Sequence, residues 1–270
     1  MNGRMIRRVL ETHALVVGLA GLGFYLFPKA LGGLWPWALP PLAARFVGSL
    51  LLTNAVYGAC SAAISGSRAR LGMAHLGVGY ALFALVGLLG IGAIGATGRL
   101  IIWLLIFGSI ALIFTLLPIG AKQSMEQDGG HELLDTERRL IHSYFMVHLV
   151  IVAPVGAAMY LFPVWAQPHW AWMMTPINVR LIGTIFAFSA GLSWWCIRQQ
   201  RWSAVYPALA AYAVFTTTAL LASFIHFNLF NPHRPTTWAF VALYVVVAAG
   251  AWFLLAGHLR QNRAAMGVVA

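Results

Sequence analysis

Eight stretches of this chain, near residues 10–27, 44–64, 72–94, 100–120, 143–162, 179–197, 204–227 and 236–257, are apolar over about the 20 residues a helix needs to cross a hydrocarbon layer. No other property restricts the fold as much. In lipid the backbone finds no water to bond, so only helices or a closed barrel satisfy it, and these Leu-, Ala- and Gly-rich runs lack the alternation of barrel strands. Hydrophobic residues make up 61% of the 270 and charged ones 9%, with mean hydropathy +0.81, which leaves too little polar surface to coat a soluble globule. The expected class is an all-α integral membrane protein of eight transmembrane helices.

The runs fall into two sets of four related by a constant offset. His13, Val17, Gly21, Tyr25, Leu26, Phe27, Pro28, Trp35, Trp37, Pro41, Arg45 and Gly48 recur 135 residues later as His148, Val152, Gly156, Tyr160, Leu161, Phe162, Pro163, Trp170, Trp172, Pro176, Arg180 and Gly183. Arg99 and Trp103 pair with Arg234 and Trp238 at the same offset. The chain therefore reads as a tandem duplication of a four-helix unit: residues 1–120, a polar linker at 121–139, and residues 140–270. An even number of spans per unit sends both copies across in the same direction. The pseudo-two-fold axis then lies along the membrane normal, as in parallel repeats. Five of the six acidic residues lie in the linker, where Glu137, Arg138 and Arg139 are expected to open a short interfacial helix.

Basic residues orient the bundle. With the N-terminus cytoplasmic, that side receives Arg4, Arg7, Arg8, Arg68, Arg70, Lys122, Arg138, Arg139, Arg198, Arg201, Arg260 and Arg263, whereas Lys29, Arg45, Arg99, Arg180 and Arg234 fall on the other. This positive-inside pattern puts both termini in the cytoplasm. The first apolar run is expected to be retained rather than cleaved, since no small-x-small site follows it and a counterpart stands at 143–162. The net charge of +11 is then a topology signal, with membrane lipids as its partners and no nucleic acid.

On the first helix of each set, His13, Val17, Gly21 and Tyr25, like His148, Val152, Gly156 and Tyr160, recur at four-residue steps and share one face. Small residues on that stripe suit a helix–helix seam. His13 and His148 are expected to be hydrogen-bonded packing residues; the alternative is a pair of ligands to haem or a chlorin. Cys60 and Cys196 sit at non-equivalent positions and form neither a disulfide framework nor a metal pair, and no metal site is expected.

Between the first two spans the chain reads Trp35-Pro36-Trp37-Ala38-Leu39-Pro40-Pro41, then Arg45 and Gly48; the second set keeps Trp170, Trp172, Pro176, Arg180 and Gly183. Tryptophans favour the headgroup zone, and a proline opening a helix loses no hydrogen bond, so an aromatic lid followed by a helix start is expected in each set. The segment resembles the W-P-W-x-L-x-P-x-x-x-R-x-x-G stretch of uncharacterised bacterial multi-spanning proteins. That resemblance implies a bacterial inner membrane and no particular activity. Arg45 and Arg180 have no carboxylate on their side of the membrane and are candidates for an anionic head.

The sets diverge most at the seventh span, where Thr216, Thr217, Thr218, Ser223, His226 and Asn228 replace Ala81, Leu82, Phe83, Leu88, Ile91 and Ala93. Polar groups in a membrane are costly unless paired or wetted, so Thr216, Ser223 and His226 join Arg45, Arg180, Arg234, Trp170 and Trp172 as the candidate binding site. No carboxylate falls in a predicted span, and no histidine box, HExxH, GxSxG or phosphate-binding loop is present, so catalysis is not expected. The expected function is binding or passage of a lipid-like or anionic small molecule between the repeats near the outer face. The alternative is an accessory or scaffold subunit of a larger membrane complex, with membrane-protein partners and a haem or pigment on His13 and His148.

Overall fold

The computed structural model describes residues 3–120 and 131–265, the side chains of Ala93 and of 259–265 excepted. Residues 121–130 of the expected linker, with Glu126 and Asp128, lie outside the described residues. In chain order the α-helices are α1 (Gly3–Leu26), α2 (Pro28–Gly32), α3 (Pro41–Ile64), α4 (Gly66–Ile94), α5 (Gly98–Gly120), α6 (Asp135–Leu161), α7 (Pro163–Ala166), α8 (Pro176–Ile197), α9 (Trp202–Ile225) and α10 (Pro235–Ala265). All except the short α2 and α7 are long and apolar enough to cross a membrane, and the chain is a multi-pass integral membrane protein.

Local chemistry sets the helix ends. Proline occupies the first position of α2, α3, α7 and α8, where its missing N–H is no loss. Ser65 caps α4 by accepting the Arg68 N–H at 3.2 Å. Glu137 accepts the Leu134 N–H at 3.1 Å, and Asp135 and Glu137 place negative charge on the first turn of α6. Gly95 closes α4 with φ of 74°, a conformation that costs a residue with a side chain. Helices overrun the apolar runs at their polar ends: α1 starts at Gly3 and α6 at Asp135, because charged turns can stand clear of hydrocarbon. Glu11 accordingly lies two turns inside α1, exposed.

Two seams are drawn tight by glycine. A Cβ added to Gly21 would meet the Leu52 backbone nitrogen at 2.8 Å, and one on Gly48 the Tyr25 nitrogen at 2.7 Å, so α1 and α3 touch backbone to backbone. Gly156 and Gly183 do the same for α6 and α8, against the nitrogens of Ala187 and Tyr160 at 2.7 Å each. Close approach of this kind recovers dispersion that lipid would otherwise supply.

The two halves interlock. Helix α3 packs on α9 and α4 on α8, and α3, α8 and α9 are the most enclosed helices, while α1 and α5 face outward. Tyr25 of α1 donates to the Thr218 carbonyl of α9 at 2.8 Å, and Tyr160 of α6 donates to the Leu82 carbonyl of α4 at 3.0 Å. At the tryptophan-bearing end, Trp37 Nε1 donates to Asn178 Oδ1 at 2.8 Å, and the Asn178 amide donates back to the Ala38 carbonyl at 3.3 Å. At the opposite end an antiparallel bridge, Glu132 with Arg201, ties the segment before α6 to the α8–α9 connection.

Candidate functional site

At mid-depth, where α3, α6, α8, α9 and α10 fail to close on one another, the bundle holds a small cavity of about 50 Å³ that is partly open to its surroundings. Leu50, Ile185, Phe186, Phe215 and Leu243 make its wall mainly apolar. An apolar lining with a few polar groups is that of a small-molecule site. A second, smaller space of about 20 Å³ shares Leu50, Asn54, Ile185 and Phe188 with it. A groove of about 210 Å³ between α4 and α8 shares Phe188 and Leu192. The Phe188 ring thus borders all three.

Polar side chains in the cavity wall follow a chain of bonds whose hydrogens can be assigned. Tyr212 donates its single hydroxyl hydrogen to the Ser189 carbonyl at 2.6 Å. At its 3.0 Å contact with Ser193, Ser193 must then be the donor. Having spent its hydrogen there, Ser193 can only accept from His148 Nδ1, 2.9 Å away. Nδ1 therefore carries a hydrogen, and in the neutral ring Nε2 is left as the acceptor. Tyr244 provides the complement. It is 2% exposed, lines the cavity among the rings of Phe46, Phe215 and Phe240, and its hydroxyl has no partner among the described residues. Leaving such a group unbonded costs about 1–3 kcal/mol.

The residues singled out from sequence are dispersed relative to this cavity. Thr216 lines it, but its hydroxyl donates to the Tyr212 carbonyl at 2.6 Å, as Ser223 donates to Ala219 at 2.8 Å, each within its own helix. Arg45 donates to His226 Nε2 across the halves, and its Nε has no partner among the described residues. His226, at the end of α9, has its pKa held down by burial and by the Arg45 charge. Arg180 Nε donates to the Tyr160 carbonyl at 3.0 Å. Arg234 donates to the Pro168 and Trp170 carbonyls at 3.1 and 2.9 Å, and Arg99, 135 residues earlier, donates to the Gly33 carbonyl at 3.0 Å. Trp172 is buried against Phe46, Phe230 and Phe240; Trp170 packs on Phe186 and Phe240, its N–H without a partner among the described residues.

The two histidines take different neighbours. His13 pairs through Nε2 with the Tyr80 hydroxyl at 2.8 Å and lies against Phe114, whereas His148 pairs with Ser193 and lies against Tyr212. Of the cavity's polar groups, Asn54, Tyr212 and Tyr244 were not singled out from sequence, nor was Ser193 behind the wall. Asn54 carried a usable signal, being the only carboxamide inside the eight apolar runs. The chain matches no known protein family, no curated protein and no solved structure.

Proposed function

We propose that the protein binds, or passes, a lipid-like molecule within the membrane, held through one small oxygen function such as a hydroxyl or a carbonyl. The observation that carries this reading is the coexistence, in one apolar wall, of an unsatisfied donor at Tyr244 and an acceptor at His148 Nε2. A hydroxyl-bearing head answers both, and a carbonyl answers the donor. A neutral head fits better than an ionised one, because the hydrogen bonds of Arg45, Arg180 and Arg234 go to His226 and to backbone carbonyls. The groove between α4 and α8 offers a route from lipid, with Phe188 as the partition.

The chain is, in this reading, a tandem duplication of parallel repeats, residues 1–120 and 140–270, with both termini cytoplasmic. Matched contacts at the 135-residue offset support it: Gly21 and Gly48 with Gly156 and Gly183, and Arg99 on Gly33 with Arg234 on Pro168. The cavity would then be the place where one repeat departed from the other, since Tyr244 stands where the first has Ser109.

The test is mass spectrometry of lipid extracts from gently solubilised protein. Wild type should retain a lipid-like molecule that Tyr244→Phe and Asn54→Leu release, while Arg180→Ala retains it. Equal retention in the cavity variants, or no bound molecule in wild type, overturns the reading.

A further inference from the structure

At the end of the bundle opposite Trp37 and Trp172, His131, Glu137 and His258 come from three separate places: the segment before α6, the first turn of α6, and the last part of α10. Their potential ligand atoms all lie within 4.8 Å of one another. We propose that these residues form a binding site for a divalent transition-metal ion of the zinc type, with water completing the coordination.

The ligand set is two imidazoles and one carboxylate, the donors that suit zinc and its neighbours and not the all-oxygen shells of calcium or magnesium. Three protein ligands leave a fourth, tetrahedral position open to solvent. His131 supplies the way in, its side chain being 44% exposed, while Glu137 at 13% and His258 at 9% form the floor. With bonds of about 2.0–2.1 Å, tetrahedral ligand atoms stand about 3.4 Å apart, so the widest pair must close by up to about 1.4 Å. The exposed His131 ring can make that move, since its Nε2 already stands 3.9 Å from the Glu137 carboxylate.

The supports of the site are in place. Trp202 N–H donates to the His131 carbonyl at 3.2 Å and Leu133 N–H to the Gln200 carbonyl at 2.8 Å, which fixes the backbone on both sides of Glu132. The His258 ring stacks on Trp202 at 3.8 Å, which holds it in place; His131 lies parallel to it at 4.9 Å and must turn out of that stack to aim its nitrogen at the same ion. Glu137 is oriented by the Leu134 N–H. Such outer contacts hold ligands in position for a metal. Bound there, an ion would clamp the start of α6, the α8–α9 connection and the end of α10 together.

The experiment strips the full-length protein in detergent with a chelator, returns Zn²⁺ alone, and measures bound metal by mass spectrometry and melting temperature. Wild type should take up one Zn²⁺ per chain and melt higher with it than without. Glu137→Gln, which keeps an oxygen for the Leu134 N–H, and His258→Phe, which keeps the stack on Trp202, should each weaken binding by about tenfold or more. His142→Ala and His169→Ala, histidines outside the cluster, should bind as wild type does. Co²⁺ substituted for Zn²⁺ should give the visible absorption of a tetrahedral site in wild type and not in Glu137→Gln. Failure of wild type to hold one equivalent, or equal binding by Glu137→Gln and His258→Phe, overturns the proposal.

Discussion

Ser193 receives the Nδ1 hydrogen of His148 at 2.9 Å, and that one contact sets the polarity of the cavity. Reversed, the imidazole would add a second donor to the cavity that Tyr244 also lines, and a hydroxyl head would meet two hydrogens. As built, His148 and Tyr244 offer one of each kind.

The glycine seams give opposite signs for the same substitution. Gly183→Ala places a methyl group 2.7 Å from the Tyr160 nitrogen, an atom that cannot swing aside, and should destabilise the bundle by about 1–3 kcal/mol. Gly191→Ala, in the groove between α4 and α8, meets nothing within 4 Å and should be neutral or gain up to about 1 kcal/mol from helix propensity. Melting temperatures of the two variants in one detergent check both. A fall for Gly191→Ala as large as that for Gly183→Ala would remove the seam as the explanation.

His226 should make stability depend on acidity. Burial first, and the Arg45 charge second, lower its pKa below the usual 6.5, so the unfolded chain binds the proton more readily than the folded one. Its contribution is complete above about pH 6.5 and is lost progressively as pH falls towards the folded pKa. Between pH 7 and 5 the wild-type melting temperature should drop more than that of His226→Gln, which has no proton to gain. Parallel curves for the two proteins would show that other groups govern the acid limb.

Phe188 should govern exchange rather than affinity. Its ring divides the central cavity from the α4–α8 groove, so Phe188→Ala joins the spaces and should speed exchange of bound ligand severalfold, while Phe188→Trp slows it. Exchange against isotopically labelled lipid, followed by mass spectrometry, reads the rate. Unchanged exchange in both variants would close this route.

The helices were legible in the sequence because lipid asks one simple question of a segment, whether it is apolar for long enough. Pro41 and Pro176 marked helix starts for an equally local reason. The cavity was hidden because its polar groups come from five different helices, and only packing sets which of them meet. Thr216, Ser223 and His226 looked like one polar stripe on α9. In the bundle, however, two of them turn to their own carbonyls and the third faces Arg45. The meeting of His131 with His258 was out of reach for the same reason, since over a hundred residues separate them and a short bridge to the α8–α9 connection brings them together.

The crossed tyrosine contacts bear on how the protein is made. Tyr25 bonds a carbonyl 193 residues further along, which the ribosome reaches about 10–40 s later at ordinary elongation rates. Throughout that interval the first four helices stand in the membrane with the α9-facing side of α3 still bare to lipid. Assembly is thus decided after insertion, and a chain stalled between α5 and α9 would offer quality-control proteases a bundle with an open flank.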